Sequence, residues 1–126
     1  MTTQKIYTQH EDNKEWASNL AFYKDELKIM SKRLEEIVTK NTSKDILSQV
    51  EHFQNQFIIQ KDQIDQINHA INLDNDTIDK EINKNTIAVD RRSIEDHTIL
   101  REQMKSFEHI FNSLKFDFNT FLSKWM

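Results

Sequence analysis

At 126 residues, with 37% hydrophobic and 30% charged side chains, the chain has the length for one domain and the polarity to stay in water. Its zeros exclude more than its totals: without Gly it holds no recognisable Walker loop, dinucleotide fingerprint, EF-hand or nucleophile elbow, and without Cys no disulfide, thiolate zinc site or cysteine nucleophile. The net charge of −4 comes from 17 basic and 21 acidic residues that are interspersed, with no basic run longer than Arg91-Arg92, which speaks against a nucleic-acid partner.

Residues 1–8 read as an extension ahead of a single helical domain over 9–126. Met1 to Tyr7 carry no apolar core of signal-peptide length, and no window approaches the ~18 apolar residues of a membrane span. The expected setting is the cytoplasm, away from a membrane.

The first periodic segment holds Trp16, Leu20, Tyr23, Leu27, Met30, Leu34 and Ile37, alternating four and three apart. That 4–3 spacing keeps side chains on one slowly drifting helical face, as in coiled-coil-like packing, whereas a strand needs a period of two. Thr8-x-x-Glu11 has the form of a capping box at its start. At its end, Lys40 suits the negative helix terminus and Asn41 is the usual substitute for Gly in a left-handed cap.

The second segment runs through Ile46, Val50, Phe53, Phe57, Gln60, Ile64, Ile67 and Ile71, after a box Thr42-x-x-Asp45. Gln60 is polar at a seam position, which points to a role in fixing register. Asn72 to Asp76 is rich in turn residues, so the helix either continues to about Asn83 or breaks near 73–76 and yields a fourth short helix. The continuous version is favoured because Ile78 and Ile82 keep the apolar spacing, and Asn83 to Thr86 then forms the second turn.

The third segment carries Leu100, Met104, Phe107, Phe111, Leu114, Phe118, Phe121 and Trp125, with a start at Asp90 or Ser93. The expected fold is all-α: an antiparallel up-down-up bundle of helices over about 9–41, 43–84 and 90–125, of roughly 48, 60 and 50 Å.

Two functional readings follow. Ile110 and Leu122, which flank the central stripe, Phe116, nearly opposite it, and Trp125 at its end mark a surface on the third helix for a protein partner or a homodimer. Alternatively, counting outward from the turns brings His10, Asp74 and His97 to one end and to similar levels, where a divalent transition metal would find ligands. None of the five histidines follows the Glu-x-x-His or His-Glu-x-x-His helical metal patterns. Nearly all the acids lie off the apolar seam, where i,i+4 pairing on a solvated face accounts for them, and a packed three-helix column offers no substrate pocket. The chain is therefore expected not to be an enzyme and to need no cofactor. In style it resembles short bacterial helical proteins, a likeness that rests on no motif and transfers no residue.

Overall fold

The 4–3 stripes resolve into three helices: α1 (Thr2–Lys40), α2 (Lys44–Lys84) and α3 (Ile87–Trp125). A computed structural model of the chain describes residues 2–41, 43–84 and 87–125, with side-chain surroundings for 8–41, 43–79 and 94–125. At 39, 41 and 39 residues the helices measure roughly 58, 62 and 58 Å. They run up, down and up. α1 lies parallel to α3, since Asp12, Tyr23 and Glu26 meet partners 85 or 89 residues further on. α2 is antiparallel to both: along α1, His10, Asn13 and Lys24 meet Asp79, Asp74 and Asp65 in descending order.

The stripes close on a single core cluster that includes Leu20, Leu34, Ile37, Ile64, Ile71, Met104, Phe111 and Phe118. Its densest part is aromatic. Phe118 of α3 sits edge-on to Phe53 and Phe57 of α2, with ring centroids 5.2 and 5.1 Å apart, and Tyr23 of α1 leans on Phe107 and Phe111. Aromatic pairs in edge or tilted geometry contribute beyond their buried area, which compensates a slender rod for its large surface.

Boundaries differ from the expectation in instructive ways. Helix α1 already begins at Thr2, so residues 2–8 are helical, and Thr8 lies inside the helix instead of capping it. Helix α3 begins at Ile87, which leaves Asp90 and Ser93 within it. At the first turn the Asn41 amide N and side-chain Nδ2 both donate to the Ile37 carbonyl, closing α1. Thr42 falls outside the described residues. The described cap of α2 is Ser43, whose Oγ accepts from the Ile46 amide at 3.4 Å. Asn85 and Thr86 of the second turn are likewise outside the described residues, while Asn83 and Lys84 belong to α2.

Helix α2 runs unbroken through Asn72 to Asp76, so no break near 73–76 divides it, and the described residues form three helices. Low intrinsic propensity is overridden by tertiary bonds: Asp74 and Asn75 both accept hydrogen bonds from Asn13 of α1.

Candidate functional site

All five buried polar side chains of the described residues, Gln9, Asn13, Gln60, Asp74 and His97, occupy seam positions of the three stripes. Three of them form one layer, with one residue from each helix. Asp74 Oδ2 accepts from Asn13 Nδ2 at 2.8 Å and from His97 Nδ1 at 2.8 Å. The other ring nitrogen of His97 donates to Asp12 Oδ2 at 3.0 Å, and the same oxygen accepts from Arg101 at 3.1 Å. Trp16 stacks on the imidazole with centroids 5.0 Å apart and planes 24° from parallel.

The electrostatics fix the state of this layer. Burial alone would favour the neutral ring, but hydrogen bonds and charge from Asp74 and Asp12 outweigh it and raise the His97 pKa above the usual imidazole value. With both nitrogens facing carboxylates, both carry protons. The cluster of Asp12, Asp74, imidazolium and Arg101 is then neutral as a set, the condition under which buried charge is tolerated. The partnership is incomplete on one side: Asn13 Oδ1 and Asp74 Oδ1 are buried without a hydrogen-bond partner.

His97 and Asp74 thus come together as the sequence suggested, but as a hydrogen bond. An imidazolium has no lone pair to offer a metal. His10 stands apart, half-exposed, 3.5 Å from Asp79. Among the described residues no group of three or more His, Asp or Glu is disposed to hold a metal ion. Of the other residues at this layer, Trp16 stands on the first stripe of the sequence, while Asp12, Asn13 and Arg101 are not singled out there. Asn13 was within reach, because Gln9 and Asn13 extend the Trp16-Leu20 series backward at the same 4–3 spacing.

The four apolar residues of the third-helix surface also separate. Leu122 and Trp125 are partly buried and pack against the core. Ile110 and Phe116 are both exposed, but six residues apart they diverge by about 120° around the helix. Phe116, 72% exposed, is flanked one turn away by Asn112, Ser113, Asn119 and Thr120, so it is an isolated exposed ring.

The three helix–helix boundaries differ in charge. Between α1 and α3, Asp12–Arg101 and Glu26–Lys115 form ion pairs, and Tyr23 donates to Glu108 Oε2 at 2.9 Å. Burial, then that hydrogen bond and the neighbouring carboxylate charges, pushes the Tyr23 phenol up to about 12. Between α1 and α2, His10–Asp79 and Lys24–Asp65 do the same. Between α2 and α3, the His97–Asp74 pair in the core is the one ion pair among the described residues. No described helix is long and apolar enough to cross a membrane. No family model, curated protein or solved structure matches this chain.

Proposed function

We propose that this chain is a non-enzymatic helical bundle that works through protein–protein contact, with a second copy of itself as partner on the α2–α3 face. The observation that carries the reading is that large apolar side chains outnumber charges along that face, where Asp62 is held by Gln66 at 2.8 Å. Leu73 and Ile99 line a shared depression of about 220 Å³ between the two helices, with Asp96 at its edge. Ile59, two heptads before Leu73, and Ile110, eleven residues after Ile99, fall on the same side by helical spacing. All four are half-exposed or more, at 49–58%. The residues between them on these rows are Gln, Ser and Ala, and the first carboxylates on the α3 row are Asp96 and Asp117.

Large apolar side chains with few charges among them are what the buried centre of an interface needs, because burying an unpaired charge costs more than the contact returns. A second copy offers the same face, so a two-fold arrangement sets one apolar row against its equal and leaves Asp96 and Asp117 towards the rim. From Asp96 to Asp117 the row is about 32 Å long, and two adjacent helices are about 20 Å wide. That gives about 640 Å² per copy, or about 1,300 Å² in total, within the range of specific interfaces.

Light scattering coupled to gel filtration tests this. The wild type should move from the 15.2 kDa monomer mass towards twice that value as concentration rises from about 5 to about 500 μM. The double variant Ile59→Glu/Ile110→Glu should stay monomeric with unchanged helicity. A wild type that stays at monomer mass throughout sinks the proposal. So does a dimer that survives the double variant but dissolves with Phe116→Glu.

A further inference from the structure

The α1–α2 face has the opposite character, and it carries an inference that does not depend on the dimer. Between these helices lies a groove of about 580 Å³ whose floor is Leu27, Leu34 and Phe57. Ile58 stands on its lip, 67% exposed. Around this apolar floor the groove is lined by Lys24, Lys28, Lys32 and Lys61 against a single carboxylate, Glu35. The groove is thus locally basic in a chain of net charge −4.

The lysines are also uncommitted. Lys24 reaches Asp65 at 3.6 Å, a half-exposed pair of small energetic worth. Among the described residues, no carboxylate lies within ion-pair distance of Lys28, Lys32 or Lys61. Lys24, Lys28 and Lys32 follow one another at i,i+4 along α1, a row of cations about 6 Å apart. Carboxylates spaced i,i+4 on another helix have that same repeat.

We infer that this groove receives an acidic amphipathic helix from a protein partner, laid against α1 and α2 as a fourth helix of the bundle. Its apolar stripe covers the floor and Ile58, and its flanking Asp or Glu residues meet the lysines. From Lys24 to Glu35 the groove is about 16 Å long, room for about three turns and for anchors at i, i+3 or i+4, and i+7. Shape favours a helix over a fatty acid: an acyl chain needs a pocket that encloses most of its surface, and this groove is open along its length. The proposed dimer face lies on the α2–α3 side, so the two occupants do not compete.

The test uses the whole chain and a synthetic probe. The probe is a fluorescein-labelled, helix-forming peptide of about 14 residues, with Leu at i, i+3 or i+4, and i+7 positions and Glu on both flanks. A control peptide carries Lys in place of every Glu. Fluorescence anisotropy at low salt should show saturable binding of the acidic peptide only, weakening as salt rises. Lys28→Glu/Lys32→Glu/Lys61→Glu should weaken it by about tenfold or more. Ile58→Asp should weaken it as well while preserving the helical circular-dichroism spectrum, which covers the case in which the triple variant does not fold. The inference is overturned if the acidic peptide fails to saturate by about 1 mM, if both peptides bind alike, or if the groove variants bind like wild type. It is overturned in favour of a fatty-acid site if monomeric oleate binds one to one and displaces the peptide.

Discussion

Two stretches of the same seam are built from different materials. Towards the end where the first turn lies, the layers are Phe53, Phe57, Phe118 and Phe121, with rings 5.0 to 6.2 Å apart. Towards the other end one layer is Asn13, Asp74 and His97, held at 2.8 Å by directional bonds. Both close the same three helices, but they constrain them differently. Aromatic burial is non-directional, so a helix displaced by one turn would still find rings to pack against. A hydrogen-bonded ion cluster is satisfied in one alignment only, and a slip leaves charge buried without its counter-charge. On these grounds the aromatic half is expected to supply the larger share of stability and the polar layer to select the register, as a single polar seam residue does in coiled coils.

The largest expected effect is on the aromatic side. Phe118→Ala removes a fully buried ring between Phe53 and Phe57 and should cost about 4 kcal/mol in urea unfolding, at any pH from neutral to alkaline. A loss below about 1 kcal/mol would mean the rings repack freely and the comparison fails. On the polar side, Asp74→Ala leaves His97 with one carboxylate and takes from Asn13 its bond to Asp74, which should cost about 3 kcal/mol. The sharper experiment replaces the three buried members together. Asn13→Leu/Asp74→Leu/His97→Leu leaves Asp12 paired with Arg101 and should recover the stability lost in Asp74→Ala, or exceed wild type by about 1–4 kcal/mol. If register is what the layer encodes, that variant should also show broadened or doubled backbone resonances. Sharp single resonances would remove the register role while leaving the energetics standing.

How much of this was legible beforehand depends on which direction along or around a helix one asks about. The three helices were legible because the 4–3 spacing persists from Trp16 to Ile37, Ile46 to Ile71 and Leu100 to Trp125, and nothing but a helix has that period. The seam place of His97 was legible for the same reason. Levels between helices were legible only to about one turn. Counting outward from the first turn pairs His10 with Asp74, whereas His10 meets Asp79 and Asp74 meets Asn13. Side chains lean towards the N-terminus of their own helix, away from the turn on α1 and towards it on α2. Contacting residues therefore lie further along both helices than equal backbone heights suggest. Asp12 and Arg101 were hidden for another reason: they flank the seam, where a charged residue reads as one more solvated side chain. The grooves were hidden as well, since a sparsely charged α2–α3 face and a basic α1–α2 face emerge only once it is known which rows adjoin.

The smallest effect expected is also the most diagnostic of the polar layer. The pKa of His97 is raised in the folded chain above the ordinary imidazole value of 6.5, with Asp74 and Asp12 overcoming the opposing effect of burial. A group whose folded pKa is raised binds its proton more tightly when folded. It contributes stability that is fully present below about pH 6.5 and is lost as pH rises through the folded value. The groups that face the ring are Asp74 from α2, Asp12 and the stacked Trp16 from α1, with Arg101 of α3 behind Asp12. On losing a proton the ring can donate to one carboxylate only, and its other nitrogen then turns a lone pair towards negative charge. The urea midpoint of wild type should fall as pH rises from about 6.5 through the raised folded value. In His97→Gln, which keeps a donor but cannot titrate, that slope should flatten while Phe118→Ala keeps it. A slope that persists in His97→Gln would assign the dependence to other groups and deny the layer its charged state.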